Sequence, residues 1–96
     1  MKLSLAEIED HLHTLPHWKY VEDTLQITIT CNDFKETFAV MTQIAFEAEA
    51  LQHHPSWSNT YNTLMIQLTT HDAGNVVTIK DIMFAKTIHR IIQRYL

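Results

Sequence analysis

Residues 53–71 read HHPSWSNTYNTLMIQLTTH, and the second half of this stretch decides the fold. Leu64, Ile66 and Leu68 alternate with Met65, Gln67 and Thr69, the period of a strand with one buried face. Ahead of it, Trp57, Asn59 and Tyr61 share one face of a shorter strand that opens after Pro55. Asn62-Thr63 is the expected turn between them, because asparagine is the non-glycine residue that best tolerates positive φ. Upstream, Leu25, Ile27, Ile29 and Cys31 alternate with Gln26, Thr28 and Thr30, and residues 17–21 precede them across a turn at Glu22-Asp23-Thr24. Two hairpins are therefore expected.

Around the hairpins the period changes to that of a helix. Ser4 and Glu7 have capping-box spacing and open a short helix to about His13. From Asp33, the residues Phe34, Phe38, Met41, Ala45 and Ala48 recur at steps of four and three, so a long helix runs to about Gln52 with that stripe in the core. Thr78 is placed as the N-cap of a last helix carrying Ile82, Ala85, Ile88, Ile92 and Tyr95 on one side. The order α-β-β-α-β-β-α predicts an α+β two-layer sandwich, a four-stranded antiparallel sheet with three helices on one face. At 96 residues and 11.2 kDa this is one domain, residues 1–96, around one core.

Composition excludes several function classes. Gly74 is the only glycine, so the glycine-rich phosphate cradles of nucleotide folds are absent. Cys31 is the only cysteine, which removes intrachain disulfides and thiolate zinc clusters and favours a reducing, cytoplasmic setting. A formal charge of −4 without a Lys/Arg stripe argues against a nucleic-acid partner. The longest apolar runs are four residues, and neither a membrane span nor an export signal is expected.

What stands out is histidine, seven in all. With the turn at Asn62-Thr63, facing residues have numbers summing to about 125, which sets His71 opposite His54. Only six residues, Asp72 to Val77, separate His71 from the last helix, so Asp81 stays near the same end of the sheet. His53, His54, His71 and Asp81 are thus expected to converge. Imidazoles beside a carboxylate are the groups that general acid/base catalysis at neutral pH requires. No nucleophile accompanies them: Ser56 and Ser58 lack an elbow motif, and Cys31 lies on the other hairpin. Plainer readings stand beside this one. His53 and His54 also suit a helix C-terminus, and Asp81, three residues after Thr78, suits the first turn of a helix. Three imidazoles and a carboxylate are also a zinc ligand set, but adjacent histidines diverge and no i,i+4 His pair or His-x-His on a strand approaches the site, so no metal is expected. His11, His13 and His17 are read as surface residues.

The stretch from Glu49 to Ala85, EALQHHPSWSNTYNTLMIQLTTHDAGNVVTIKDIMFA, resembles the pterin-4a-carbinolamine dehydratases, also called 4a-hydroxytetrahydropterin dehydratases. It carries the family's Glu-x-x-x-His-His-Pro-x-Trp-x-x-x-Tyr pattern at Glu49, His53, His54, Pro55, Trp57 and Tyr61, then Thr70-His71, Ala73-Gly74 and Thr78-x-x-Asp81. Trp18 and the helix FKETFAVMTQIAFEAEAL extend the resemblance to about residues 15–96. It implies loss of water from 4a-hydroxytetrahydropterin, giving quinonoid dihydropterin, with no metal or redox cofactor, in support of tetrahydrobiopterin-type recycling. Carried over residue by residue, it implies His53, His54 and His71 as the catalytic histidines, with His53 as donor to the departing hydroxyl. It likewise implies Trp57 as a wall of the pterin site, Pro55 as shaping it, Thr70, Asp72 and Ala73 as ring contacts, and Asp81 as orienting a histidine. His71 and Asp81 are ten positions apart, one more than the family spacing, which puts an extra residue in the loop Asn75-Val76-Val77. The resemblance also implies a homodimer or homotetramer, with Ile88 to Ile92 of the last helix as a candidate contact. The alternative is a non-catalytic pterin-binding or protein-interaction module, since some animal members double as dimerisation cofactors of a homeodomain transcription factor.

Overall fold

In the computed structural model, which describes residues 1–96, the two alternating segments form the centre of one sheet. The elements are α1 (Leu5–Leu12), β1 (Lys19–Val21), β2 (Thr24–Thr30), α2 (Phe34–Leu51), β3 (Ser56–Thr60), β4 (Thr63–Leu68) and α3 (Ile79–Ile92), with 3-10 turns at His71–Ala73 and Gln93–Tyr95. The strands run in the order β1-β2-β4-β3, every neighbour antiparallel, and β2 pairs β4 from Leu25↔Leu68 to Thr30↔Thr63. Leu25, Ile27, Ile29, Leu64, Ile66 and Leu68 all point to one face and are buried. Each such side chain contributes about 1.5–3 kcal/mol when it leaves water. Ile8 of α1, Val40 and Ile44 of α2, and Ile82, Phe84 and Ile88 of α3 belong to the same core, so all three helices cover one face of the sheet, as the element order predicts.

The caps explain where the helices begin. Ser4 and Glu7 form a reciprocal capping box, and the hydrogen bonds from Ser4 hold the exposed Glu7 carboxyl below its ordinary value. Asp33 caps α2 by accepting the backbone N–H of Glu36. Glu22 and Asp23 both adopt left-handed φ between β1 and β2, and the Tyr20 hydroxyl donates to Asp23 across that turn. No helix is long and apolar enough to cross a membrane.

Three expectations are corrected. The second hairpin turns at Tyr61-Asn62, with Thr60↔Thr63 the last pair and Tyr61, not Asn62, at positive φ. Asn62 is otherwise engaged: its amide donates to the Cys31 carbonyl and its own carbonyl accepts the Cys31 N–H. Asn59 donates to the carbonyls of Tyr61 and Thr63 and so closes the turn. Facing residues consequently sum to 123, as in Trp57↔Ile66, and His71 is not opposite His54. The displacement is two residues on one strand, so each side chain keeps the face expected of it. Second, the buried stripe of α2 is Thr37, Val40, Ile44 and Ala48, while Phe34 and Phe38 lie outside. Thr37 can face inward because its hydroxyl donates to the Asp33 carbonyl one turn back. Third, Ile88 and Ile92 of α3 are fully buried within the chain, so in that stretch of the last helix only Ile91 keeps an apolar side chain partly exposed.

The phase of α2 makes a direct expectation. In protein dilute enough to be monomeric, Ile44→Ala should cost about 2–5 kcal/mol in urea unfolding, and Phe38→Ala no more than about 0.5. A larger loss at Phe38 than at Ile44 would return the aromatic stripe to the core.

Candidate active site

His53 owes its position to the end of α2. Gln52 adopts the left-handed conformation at φ 52, its N–H reaches the Glu49 carbonyl, and the His53 N–H reaches Ala48. This pair of bonds is a Schellman closure made without glycine, and Pro55 follows to stop the helix. The His53 ring is thereby turned inward: 9% of the residue is exposed, and the edge of the Phe84 ring lies 6.1 Å from it, centroid to centroid.

Beneath His53 sits Asp81, which is 0% exposed. Its Oδ1 lies 2.6 Å from His53 Nε2. Its Oδ2 accepts the Thr70 hydroxyl at 2.7 Å and the Thr78 backbone N–H at 2.9 Å. The Thr70 and Thr78 hydroxyls are in turn 2.6 Å apart. Burying a carboxylate is costly unless it is paired and hydrogen-bonded, and here both oxygens are occupied. Asp81 therefore performs two tasks with its two oxygens. One completes the capping box that starts α3, and the other holds an imidazole from the end of α2.

His54 points the other way, into solvent, where its Nε2 meets the Glu49 carboxylate at 2.5 Å. His71 opens the 3-10 turn after β4 and is exposed, with Nδ1 3.2 Å from Asn75 Oδ1. The loop beyond it is closed by the Thr70↔Val76 bridge and turned by Gly74 at φ 94 and Asn75 at φ 61. Across this turn Asp81 reaches His53. No group of three His, Cys, Asp or Glu side chains is gathered in a way that would hold a metal ion.

A cleft of about 220 Å³ opens among Gln52, His53, His54, Thr69, Thr70, His71, Asp72 and Lys80. All three predicted histidines, Thr70 and Asp72 therefore line one cavity, with Asp81 behind its wall. Ala73 lines an adjoining depression with Thr70, Asp72, Thr78 and Lys80. Trp57 is on β3 and borders a separate shallow depression with Ser56, Ser58, Met65 and Gln67, and Pro55 joins neither. Sequence reasoning did not single out Gln52, Thr69 or Lys80, nor Glu49 as the partner of His54. Glu49 was within reach, since its place four residues before His53 on a helix puts it on the flank of the histidine pair.

The buried and exposed ion pairs should differ sharply on mutation. Asp81→Ala strands His53, Thr70 and the Thr78 N–H, and should cost about 3–5 kcal/mol in thermal or urea unfolding. Glu49→Ala should cost no more than about 1 kcal/mol. Equal losses would mean that Asp81 is not the anchor of this corner.

Comparison with known proteins agrees with this architecture. The family model described as pterin 4 alpha carbinolamine dehydratase matches residues 1–91. A relative from Christiangramia forsetii is 48% identical over 92 residues, covering 96% of this chain and 94% of its own, and one from Opitutus terrae is 42% identical, covering 93% and 92%. Both carry pterin-4-alpha-carbinolamine dehydratase as a provisional name. A crystal structure of a transcriptional coactivator/pterin dehydratase from Brucella melitensis superposes with a TM-score of 0.90 at 34% identity, covering 95% of this chain and 98% of that one. The match runs from α1 through the body of α3 and takes in every residue of the cleft, so the chain belongs to the pterin 4 alpha carbinolamine dehydratase family.

Proposed function

We propose that this chain dehydrates 4a-hydroxytetrahydropterin to quinonoid dihydropterin and water by histidine acid/base catalysis, with no metal or redox cofactor. The observation that carries this reading is the buried His53–Asp81 pair, opening on the cleft that His54 and His71 share. The reaction breaks the C4a–O bond. A proton goes to the departing hydroxyl, which leaves as water, and a proton is lost from a ring nitrogen. Imidazoles serve both transfers near neutral pH.

With Nε2 on Asp81, His53 gives its proton from Nδ1, and the carboxylate steadies the charged ring before the transfer. His54 and His71 take the ring proton from the outer side of the cleft. A volume of about 220 Å³ is below the roughly 300 Å³ at which pockets for drug-sized ligands begin, and it suits a small planar heterocycle. Asp72 supplies acceptors, with Thr70 and Ala73 beside it, for the amino-pyrimidinone edge, whereas Trp57 and Pro55 lie outside the cleft and are given no pterin contact. Lys80 and Gln52 add donors at the rim. The single free thiol, Cys31, is buried and accords with a cytoplasmic setting.

The test is the rate of dehydration of freshly generated 4a-hydroxytetrahydropterin, followed by ultraviolet absorbance with and without protein and repeated after chelation. Acceleration that survives chelation is expected. His53→Ala and His71→Ala should each lose about 10²–10⁴-fold, and turnover within about threefold of wild type in both would overturn the assignment.

A second reading is favoured by the outer face of α2. Phe34, Phe38 and Phe46 are 47%, 57% and 73% exposed, and Phe34 packs on Phe38 with ring centroids 6.0 Å apart. Aromatic surface of this extent on one helix is characteristic of an interface. It is read here as the contact of a homodimer or homotetramer. In the absence of turnover it becomes the working surface of a protein-interaction module, in keeping with the Brucella relative, which is named a transcriptional coactivator as well as a pterin dehydratase. Light scattering should find a mass above 11.2 kDa for wild type and a smaller assembly for Phe38→Glu, whereas a monomeric wild type would remove this reading.

A further inference from the structure

The hydroxyls behind Asp81 admit one self-consistent arrangement of protons. Thr70 donates to Asp81 Oδ2 at 2.7 Å, and a hydroxyl has a single proton to give. At its 2.6 Å contact with Thr78 Oγ1, Thr70 must therefore accept, and Thr78 is the donor. The Thr78 oxygen itself accepts the Lys80 N–H at 3.3 Å, which leaves its proton free for Thr70. The Thr78 N–H also donates to Oδ2. Both donors end on Oδ2 of Asp81, and with Asp81 as a carboxylate Oδ1 can only accept, so the 2.6 Å bond there takes its proton from His53 Nε2. In the neutral ring Nδ1 is then bare. It has no partner in the protein and is not sealed from solvent, so it faces the cleft. Both threonines are nearly inaccessible, at 5% and 1% exposed, and water does not compete for their hydroxyls.

From this geometry we infer that Thr70 is a positioning residue: its hydroxyl, held by Thr78, aims Asp81 so that His53 is fixed as the Nε2–H tautomer and presents Nδ1 to the substrate. The consequence for turnover rests on the dehydratase reading, whereas the proton arrangement does not. Thr70 is also bonded to His71 along the chain, so the same residue ties the setting of one cleft histidine to the place of another. A threonine next to a site histidine reads naturally as a substrate contact, yet here its hydroxyl is spent on the protein.

The experiment records histidine ring ¹⁵N spectra of the folded full-length chain at a pH where His53 is neutral, together with turnover of 4a-hydroxytetrahydropterin. Wild type should show His53 protonated at Nε2 and bare at Nδ1. Thr70→Val should show a mixture of tautomers and lose about tenfold or more in kcat with KM within about threefold, and Thr70→Ser should restore both. Nδ1-protonated His53 in wild type overturns the inference, and this spectrum decides even if Thr70→Val does not fold. A folded Thr70→Val with the wild-type spectrum overturns it as well, and a shifted tautomer at unchanged kcat overturns its role in catalysis. Wild-type protein with the expected tautomer but no acceleration sinks the dehydratase reading alone, and the positioning of His53 then stands on the spectra.

Discussion

A carboxylate with no access to water governs this corner of the molecule. Asp81 is buried, and such a group is tolerated only where its lone pairs meet donors. The donors come from the end of α2, the end of β4 and the start of α3, so satisfying one side chain joins three elements that are far apart in sequence. Few other contacts of this fold combine that reach with that penalty for failure. An apolar residue at the same place would fill space, but it would not dictate the rotation of the His53 ring. A hydrogen-bonded carboxylate does, because each donor has a direction as well as a distance.

The remainder of the fold brings those donors into place. The central pair β2 and β4 is apolar on one face and polar on the other, and the helices settle on the apolar side. The hairpin register then sets where β4 ends, and the Schellman closure at Gln52 sets where α2 ends. Both ends arrive at the same end of the sheet, and the short turn at His71–Ala73 brings α3 back to it. The cleft lies where regular structure stops, and its lining is almost entirely polar because it is built from termini instead of packed faces.

Much of this was legible in the amino-acid sequence, for reasons that differ by residue. The alternations at Leu25–Cys31 and Leu64–Leu68 have only one strand phase that buries the leucines and isoleucines, so the sheet face was readable. The capping spacings at Ser4/Glu7 and Thr78/Asp81 are local and were readable too. The phase of α2 was not, because that helix is apolar on two sides and periodicity cannot say which side meets the sheet. The large aromatic rings drew the reading toward Phe34 and Phe38, while the real stripe contains Thr37, whose hydroxyl is satisfied within the helix. The hairpin turn was displaced because a long-range bond to Cys31 claims Asn62, and no local rule contains that partner. Convergence of the site survived the error, since a two-residue displacement preserves facing. The strand order β1-β2-β4-β3, the Thr70 hydroxyl's bond to Asp81 and the presence of Lys80 at the rim are tertiary facts with no local signature.

Two imidazole–carboxylate pairs of the same chemistry lie on adjacent residues, and their surroundings separate them. His53–Asp81 has side chains 10% and 0% exposed, whereas His54–Glu49 has 59% and 71%. Charge interactions in the first are little screened by solvent, which favours a single orientation of the ring. In the second, water competes with each partner and the pair breaks and re-forms readily. A dehydration that both delivers and removes a proton has a use for each environment. The delivering group gains from a fixed angle toward the departing oxygen, and the receiving group gains from contact with bulk water, to which the proton must eventually go. The neighbours His53 and His54 supply these two environments because the left-handed turn at Gln52 sends one side chain inward and lets the next point out. In the proposed reaction, that backbone reversal is what divides the labour between them.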